Sequence, residues 1–349
     1  NPWQRGKKAR IKAVAVTVQY LKFYLPAEEF FMPTTRRHFL NGVAAISAAG
    51  YGQRAAYSQP SSGEAVHAAS RMNDDKGLPA KDLFFSCKYR MIKGGSLEDR
   101  LELARNVGFD GVDFDDAASV TPEQLQRAVH STGVFIHNVI NHAHWQQRLT
   151  SSDPEERRKA VANIKHCMEV SHAAGGSAVL IVIGKADDGP RGAELARDEI
   201  RTLLPLAAKL GQRILFENVW NGLFYDPSGS RDQSVQPFAD YIDSFESPWI
   251  GAYFDLGNHA RFANVATWIK DLGTRIVKLD IKGYSNEKAD KEGVRKGFVD
   301  ITDGDIDWKS VRKALSDIRF TGWVAAEVGG GDAERLKRVL QQMEHALLG

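Results

Sequence analysis

From residue 83 onward, the chain alternates between short apolar runs and longer segments with helical periodicity. The apolar runs are rich in β-branched and aromatic residues and are bounded by turn residues, a pattern that predicts buried strands. The intervening segments carry helix start and stop signals, such as Thr121-Pro122 at one start and Gly211 at one end. The runs predicted as strands cover 83–89, 111–115, 134–139, 178–184, 213–218, 249–255, 275–280 and 323–327.

Eight strand–helix units follow one another in strict alternation, and such alternation predicts a parallel sheet. Eight units in this length are typical of a closed (β/α)8 TIM barrel, which takes about 250 residues. An open, doubly wound sheet is the alternative, but no Gly-rich dinucleotide-binding fingerprint follows any predicted strand. We therefore predict an α/β fold, a (β/α)8 barrel over residues 81–349.

Four acidic residues stand at the ends of the last four predicted strands: Glu217, Asp255, Asp280 and Glu327. The C-terminal ends of parallel barrel strands share one face, and active sites lie there. Four converging carboxylates would repel one another, and each buried charge without a partner would cost several kcal/mol. An oxygen-rich site of this kind suits a divalent cation, Mn²⁺ or Mg²⁺. The competing interpretation is that each acid is a solvated residue at a strand end.

The charge distribution argues against nucleic acid as a partner. Residues 1–60 hold nine Lys or Arg and two acidic residues, so the remainder has 37 basic and 42 acidic residues and is mildly acidic. A nucleic-acid-binding surface would be basic. The two cysteines, Cys87 and Cys167, lack the spacing of a zinc site, and free buried thiols are favoured over a disulfide.

An export signal is predicted near the N-terminus. Paired arginines, Arg36-Arg37, precede Phe39-Leu40 and a small-residue run at 42–50, which resembles a twin-arginine signal peptide. The run is too short and too weakly apolar to span a membrane. We expect Met32 to be the natural start, residues 1–31 to be an upstream extension, 32–57 the signal and 58–80 a linker. Export would place the barrel in the periplasm or outside the cell.

Several motifs resemble the xylose-isomerase-like superfamily of sugar phosphate isomerases and epimerases. They are Phe216-Glu217-Asn218, Phe254-Asp255-Leu256-Gly257-Asn258, Val277-Lys278-Leu279-Asp280-Ile281-Lys282-Gly283 and the final Glu327. The resemblance implies a metal held by Glu217, Asp255 and Glu327, with a fourth ligand on strand seven. The family usually has His there, whereas this chain has Asp280, which would make the ligand set all-carboxylate and harder. Glu217 and Glu327 would face opposite sides of a sugar, one removing a proton beside a carbonyl and the other returning it.

Further candidates follow from position and residue type. His137 is placed at the end of strand three, on the catalytic face, as a substrate or acid–base residue, with a structural His as the alternative. Lys282 lies on the same face as Asp280 by the two-residue period of a strand and is a catalytic candidate. Possible substrate contacts, each with packing or a solvated position as the alternative, are His142, His144, Trp145, Lys185, Trp220, His259 and Tyr284.

The leading functional hypothesis is a metal-dependent sugar isomerase or epimerase that abstracts a proton beside a carbonyl through an enediolate. Export favours an unphosphorylated or oxidised sugar, because phosphorylated intermediates are cytoplasmic. A 3-keto-glycoside lyase or hydrolase using the same enolate chemistry is one alternative, and a non-catalytic sugar-binding barrel is another. A nuclease resembling endonuclease IV is disfavoured, because it would need more histidine ligands and a basic surface. The sequence leaves open whether the chain forms a homo-oligomer.

Overall fold

A computed structural model describes residues 82–349 of the chain. The predicted upstream extension (1–31), signal peptide (32–57) and linker (58–80) lie outside the described residues. Within them, eight parallel strands close into a barrel, of which β1 (Leu83–Lys88) is the first along the chain and β10 (Gly322–Ala326) the last. Closure is made by parallel pairing of β1 with β10, where Leu83 is opposite Gly322. The predicted (β/α)8 barrel is confirmed, and the doubly wound alternative is wrong because an open sheet would leave these two strands unpaired.

The barrel strands agree closely with the predicted runs. They are β1 (Leu83–Lys88), β2 (Gly111–Phe114), β3 (Phe135–Ile140), β4 (Ala178–Ile181), β5 (Arg213–Glu217), β6 (Ile250–Asp255), β7 (Ile276–Ile281) and β10 (Gly322–Ala326). Around the barrel they follow the order β1-β10-β7-β6-β5-β4-β3-β2. Two further strands, β8 (Gly283–Tyr284) and β9 (Phe298–Val299), form an antiparallel ribbon in the excursion that follows β7.

Helices cover the outside of the barrel, and their ends are set by local capping. The first begins at a capping box formed by Ser96 and Asp99 and ends at Gly108, whose φ of 113° suits glycine. The helices are α1 (Leu97–Val107), α2 (Pro122–Thr132), α3 (Pro154–Ala173), α4 (Gly192–Leu210), α5 (Gln236–Asp243), α6 (Leu256–His259), α7 (Val265–Leu272), α8 (Asn286–Glu292), α9 (Trp308–Asp317) and α10 (Ala333–Leu348). No helix among residues 82–349 is long and apolar enough to cross a membrane.

Strand alternation divides the barrel interior into layers. An apolar cluster inside the barrel contains Leu215, Tyr253 and Ala325, together with residues of β3 and β4. Because side chains two positions apart point to the same side of a strand, the residues two places further along point inward one layer higher. Those residues are the predicted acids of β5, β6 and the end of β10. The fold therefore delivers the carboxylates to one layer at the C-terminal face.

Candidate active site

The four predicted carboxylates meet in space. Glu217 ends β5, Asp255 ends β6, Asp280 is the penultimate residue of β7, and Glu327 directly follows β10. One oxygen of each lies within 4.8 Å of the corresponding oxygens of the other three. Asp255 and Asp280 are fully buried, whereas Glu217 and Glu327 are partly exposed. The alternative of four separate solvated acids does not describe this arrangement.

Burial and mutual repulsion perturb these carboxyl groups. Burial, followed by the charge of Glu327, raises the pKa of Glu217 to about 8. Burial also raises the pKa of Asp255 to about 6 and that of Asp280 well above its ordinary value. The pKa of Glu327 is lowered instead: burial would raise it, but the ammonium groups of Lys282 and Lys88 lower it by more. The cluster thus holds more negative charge than its surroundings readily stabilise.

Two lysines supply part of the opposite charge. The Nζ of Lys282 lies 2.8 Å from Asp255 Oδ2 and also pairs with Glu327 Oε2. The Nζ of Lys88 donates to Asp280 Oδ2 at 2.5 Å and lies 3.6 Å from Asp113 Oδ2. Burial would lower the pKa of Lys88, but the surrounding carboxylates, Asp280 first, raise it well above its ordinary value. Both lysines are therefore charged parts of the site.

Lys88 was not found from the sequence. A lysine at the end of an apolar run is usually solvated, and nothing near it in the sequence indicates an acidic partner. A signal was nevertheless present. Ser86, two residues earlier, is a polar residue in the middle of an apolar strand, and Lys88 shares its face. Closure of the barrel then brings that face towards β7.

The residues present fit a divalent cation. Asp280 Oδ1 is buried and has no hydrogen-bond partner among residues 82–349. Asp255 Oδ2 is likewise buried, and its contact with Lys282 is an ion pair without hydrogen-bond geometry. Unpaired buried oxygens are costly, and hard divalent cations prefer carboxylate ligands. Glu217, Asp255, Asp280 and Glu327 would hold such an ion, as the sequence predicted.

Two asparagines, Asn218 and Asn258, form hydrogen bonds that hold Glu217 and Asp255 in position. Asn258 donates from its backbone N to Asp255 Oδ1 at 2.8 Å and from Nδ2 to Glu217 Oε1 at 3.1 Å. Asn218 accepts from the backbone N of Asp255 at 2.7 Å, and its Nδ2 lies 2.9 Å from His259 Nδ1. His259 is buried beneath these asparagines and packs on Trp268. It therefore supports the cluster from behind and is not among the residues that line the pocket.

A pocket of about 390 Å³ opens above the cluster. Of the four carboxylates, only Glu217 and Glu327 line it, together with Lys88 and Lys282. The predicted substrate residues that line it are His142, His144, Trp145 and Trp220. Burial lowers the pKa of His144 to about 3 and lowers that of His142, so both rings are neutral near pH 7.

Two other predicted substrate residues lie elsewhere. Tyr284 is fully buried, donates its hydroxyl to Val294 O at 2.8 Å and packs edge-on against Trp220. It lies in β8 and supports the pocket wall, because it also packs on Phe298, which lines the pocket together with Trp220. Lys185 follows β4 in a loop, where its backbone N donates to Thr150 Oγ1 at 3.1 Å. Its side chain is not among the pocket-lining groups of the described chain.

His137 does not end strand three, which is a correction to its predicted place. β3 continues to Ile140, and His137 is buried inside the barrel below the carboxylate layer. Its Nε2 lies 2.9 Å from Ser86 Oγ, its Nδ1 lies 2.9 Å from Lys278 Nζ, and its ring stacks on Trp323 at 4.3 Å. Burial, together with the charges of Lys278 and Lys88, lowers its pKa well below the ordinary value. In this structure it belongs to a separate hydrogen-bond network.

Asp115 is a second site residue that sequence reasoning missed. It directly follows β2 and lines the pocket. Its Oδ1 accepts from the backbone N of Arg90 at 2.9 Å, and burial raises its pKa to about 6. Its position at the end of the predicted run 111–115 was the signal, but Asp115-Asp116 resembles a solvated turn.

Comparison with solved structures shows the same fold at low sequence identity. The chain resembles 3-keto-D-glucoside 4-epimerase, YcjR, from E. coli (14% identity, TM-score 0.60, 75% of this chain and 99% of that chain). It also resembles D-allulose 3-epimerase from Methylomonas sp. (17% identity, TM-score 0.60, 78% and 100%). A third neighbour is the probable 3-DHS dehydratase AsbF from Bacillus anthracis (15% identity, TM-score 0.57, 74% and 98%).

No curated protein sequence matches the chain. The sequence model of the family described as "Xylose isomerase-like TIM barrel" matches residues 101–346, which is more than half of the chain. This match agrees with the closed barrel and with the resemblance read from the strand-end motifs. The chain belongs to the xylose isomerase-like TIM barrel family.

Proposed function

We propose that this protein is a divalent-metal-dependent sugar isomerase or epimerase. The observation that carries the proposal is the meeting of four carboxylates from four barrel strands at the floor of a pocket. Structural neighbours with the same fold are named as epimerases of small sugars, which supports the same class of reaction here. The substrate would be a carbohydrate with a carbonyl group, and the predicted export signal favours one without phosphate.

The pocket divides the four carboxylates into two pairs. Asp255 and Asp280 are fully buried and do not line the pocket, so their role would be to bind the cation. Glu217 and Glu327 line it and can also touch a substrate. When bound, the cation would stabilise negative charge on a sugar oxygen beside the deprotonated carbon. Glu217 and Glu327 would remove and return the proton, one on each side of the sugar.

Lys282 would act beside Glu327. Its ammonium contacts Asp255 and Glu327 and also lines the pocket, within reach of a sugar oxygen. From this position Lys282 would donate a hydrogen bond to a sugar oxygen beside Glu327. This keeps Lys282 as the catalytic candidate that the sequence predicted.

The first test is the metal content of protein expressed from Met32. We expect one Mn²⁺, Mg²⁺ or similar ion per chain in the wild type, and loss of the ion in Glu217→Gln and Asp280→Asn. Glu102→Gln, an exposed change on α1, is the matched control and should retain the ion. The second test is proton exchange of keto-sugars in deuterated water. Glu217→Gln should reduce the exchange rate by about 10²–10⁴-fold, the usual contribution of a general acid or base.

These measurements also separate the competing functions. A metal-free wild type would overturn the proposal as written. An ion-binding protein that binds sugars but exchanges no protons would instead indicate a non-catalytic sugar-binding barrel. Exchange accompanied by loss of a glycosidic group would show that the same proton abstraction continues to an elimination, as in a lyase.

A further inference from the structure

The pocket has an acidic group on the wall opposite the carboxylate cluster. In the strand order of the barrel, β2 is four strands from β6 in either direction, so the two strands face each other across the ring. Asp115 directly follows β2, and Asp255 ends β6. Because both positions are at the C-terminal face and Asp115 lines the pocket, its carboxyl group faces the space above the cluster from the far side.

Asp115 is held in place but is not neutralised by an ion pair. Its Oδ1 accepts from the backbone N of Arg90 at 2.9 Å. The Arg90 guanidinium pairs instead with the next residue, Asp116, at 2.6 Å, and Ser119 Oγ also donates to Asp116. Within residues 82–349, Asp115 forms no salt bridge within 4.0 Å. Its raised pKa, about 6, shows that this wall tolerates a protonated carboxyl group.

The surroundings of Asp115 suit the departing part of a larger substrate. Trp145 lines the same pocket and is 44% exposed, which is high for a tryptophan in the described chain. Amphipathic aromatic rings beside an open pocket are typical contact surfaces for a sugar or an aglycone. His142 also lines the pocket, and its buried Nδ1 has no partner among the described residues. This side of the pocket therefore offers an acid, an aromatic face and an unpaired ring nitrogen.

We propose that Asp115 is a catalytic acid that protonates a leaving oxygen, and that the substrates are keto-glycosides with a glycosidic oxygen β to the carbonyl. This rests on the proposed function, because a glutamate of the cluster must first remove the proton between the two groups. The electron pair of that C–H bond then forms a carbon–carbon double bond conjugated with the carbonyl. The C–O bond to the leaving group breaks, its electrons stay on oxygen, and Asp115 donates a proton to that oxygen. The products are an unsaturated ketone and an alcohol, with no oxidant or reductant required.

The test compares two leaving groups on one sugar, methyl 3-keto-β-D-glucoside and 4-nitrophenyl 3-keto-β-D-glucoside. Methoxide is a poor leaving group and needs a proton, whereas 4-nitrophenolate leaves without one. In Asp115→Asn we expect release of methanol to fall at least about 10²-fold and release of nitrophenol to fall less than about fivefold. Exchange of the C2 proton with deuterated water should persist in this variant, because that proton is removed before Asp115 acts. Asp198→Asn, the same change at an exposed position of α4, should leave all three rates unchanged.

Each result decides between the two claims. Exchange without any cleavage in the wild type would overturn the role of Asp115 and leave the isomerase or epimerase standing. A wild type that shows neither exchange nor cleavage would overturn the proposed function and the role of Asp115 with it. If Asp115→Asn loses exchange and both cleavage reactions equally, the residue shapes the pocket and is not the leaving-group acid. Retained exchange in the variant also shows that the variant has folded.

Discussion

Two buried polar layers lie one above the other inside the same barrel, and they differ in how well their hydrogen bonds are satisfied. In the upper layer, four carboxylates share two lysines, and oxygens of Asp255 and Asp280 have no hydrogen-bond partner in the described chain. In the lower layer, His137 lies within hydrogen-bond distance of Ser86 and Lys278, and none of their side-chain atoms is unpaired. Buried polar groups are normally paired, so the shortage of donors in the upper layer marks the place for a ligand.

The hydrogen bonds of the lower layer are satisfied within the protein, without a substrate. Lys278 Nζ donates to the backbone O of His137 at 2.8 Å and lies beside its Nδ1, while Ser86 Oγ donates to Val324 O at 3.4 Å. Burial lowers the pKa of Lys278 to about 7. A histidine that is neutral, stacked and bonded at both nitrogens is a structural element of the core. We therefore expect mutations in the two layers to differ in how much stability they remove and in whether they affect the proposed chemistry.

The largest effect on stability should come from Lys88→Met in the upper layer. The change leaves the buried carboxylate of Asp280 without its 2.5 Å partner. Removal of one member of a buried ion pair typically costs about 3–5 kcal/mol. Urea unfolding of the protein in the presence of a metal chelator would measure the loss.

A double variant, Lys88→Met with Asp280→Asn, is the matched control for that effect. It removes both charges, so most of the lost stability should return although the proposed metal ligand is gone. Equal losses in the single and double variants would show that Lys88 acts through packing alone. The comparison separates charge pairing from cavity formation at one position.

A smaller loss of stability is expected for His137→Leu in the lower layer. The change removes the imidazole partner of Ser86 Oγ and of Lys278 Nζ, although each keeps a backbone carbonyl, and we expect a cost of about 1–3 kcal/mol. Metal content and proton exchange should stay near wild-type values, because His137 does not line the pocket. A loss of exchange by more than about 10²-fold, with the metal retained, would restore His137 as an acid–base residue.

The smallest expected effect is the change with pH in the stability difference between wild type and His137→Leu. His137 has a pKa well below 6.5 when folded and about 6.5 when unfolded, so the unfolded chain takes up a proton first as the pH falls. The stability that the neutral ring contributes is present above about pH 6.5 and is lost below it, by about 1.4 kcal/mol per pH unit. The stability difference between wild type and His137→Leu should therefore shrink from pH 7.5 to pH 5.5. Parallel unfolding curves at all pH values would contradict the assignment of a neutral buried ring.

The contrast between the layers also shows what the sequence could predict. The four acids were predictable because each stands where an apolar run stops, and parallel strands bring such positions to one face. The place of His137 was not predictable, because a polar residue near a strand end can face either solvent or a polar barrel interior. Only the partners Ser86 and Lys278, which are distant in sequence, decide between the two. Lys88 was missed for the same reason, because its role depends on Asp280, which lies on β7 and is distant in sequence.

Closure of the barrel has a consequence for how this protein folds. Lys88 is on the first strand and Glu327 follows the last, and β1 and β10 are neighbours only when the ring is complete. The carboxylate layer therefore exists only in the fully closed barrel, so an ion that binds there would stabilise the folded state against opening of that seam. Acquisition of the ion would then report the end of folding, after the most sequence-distant contacts of the domain have formed.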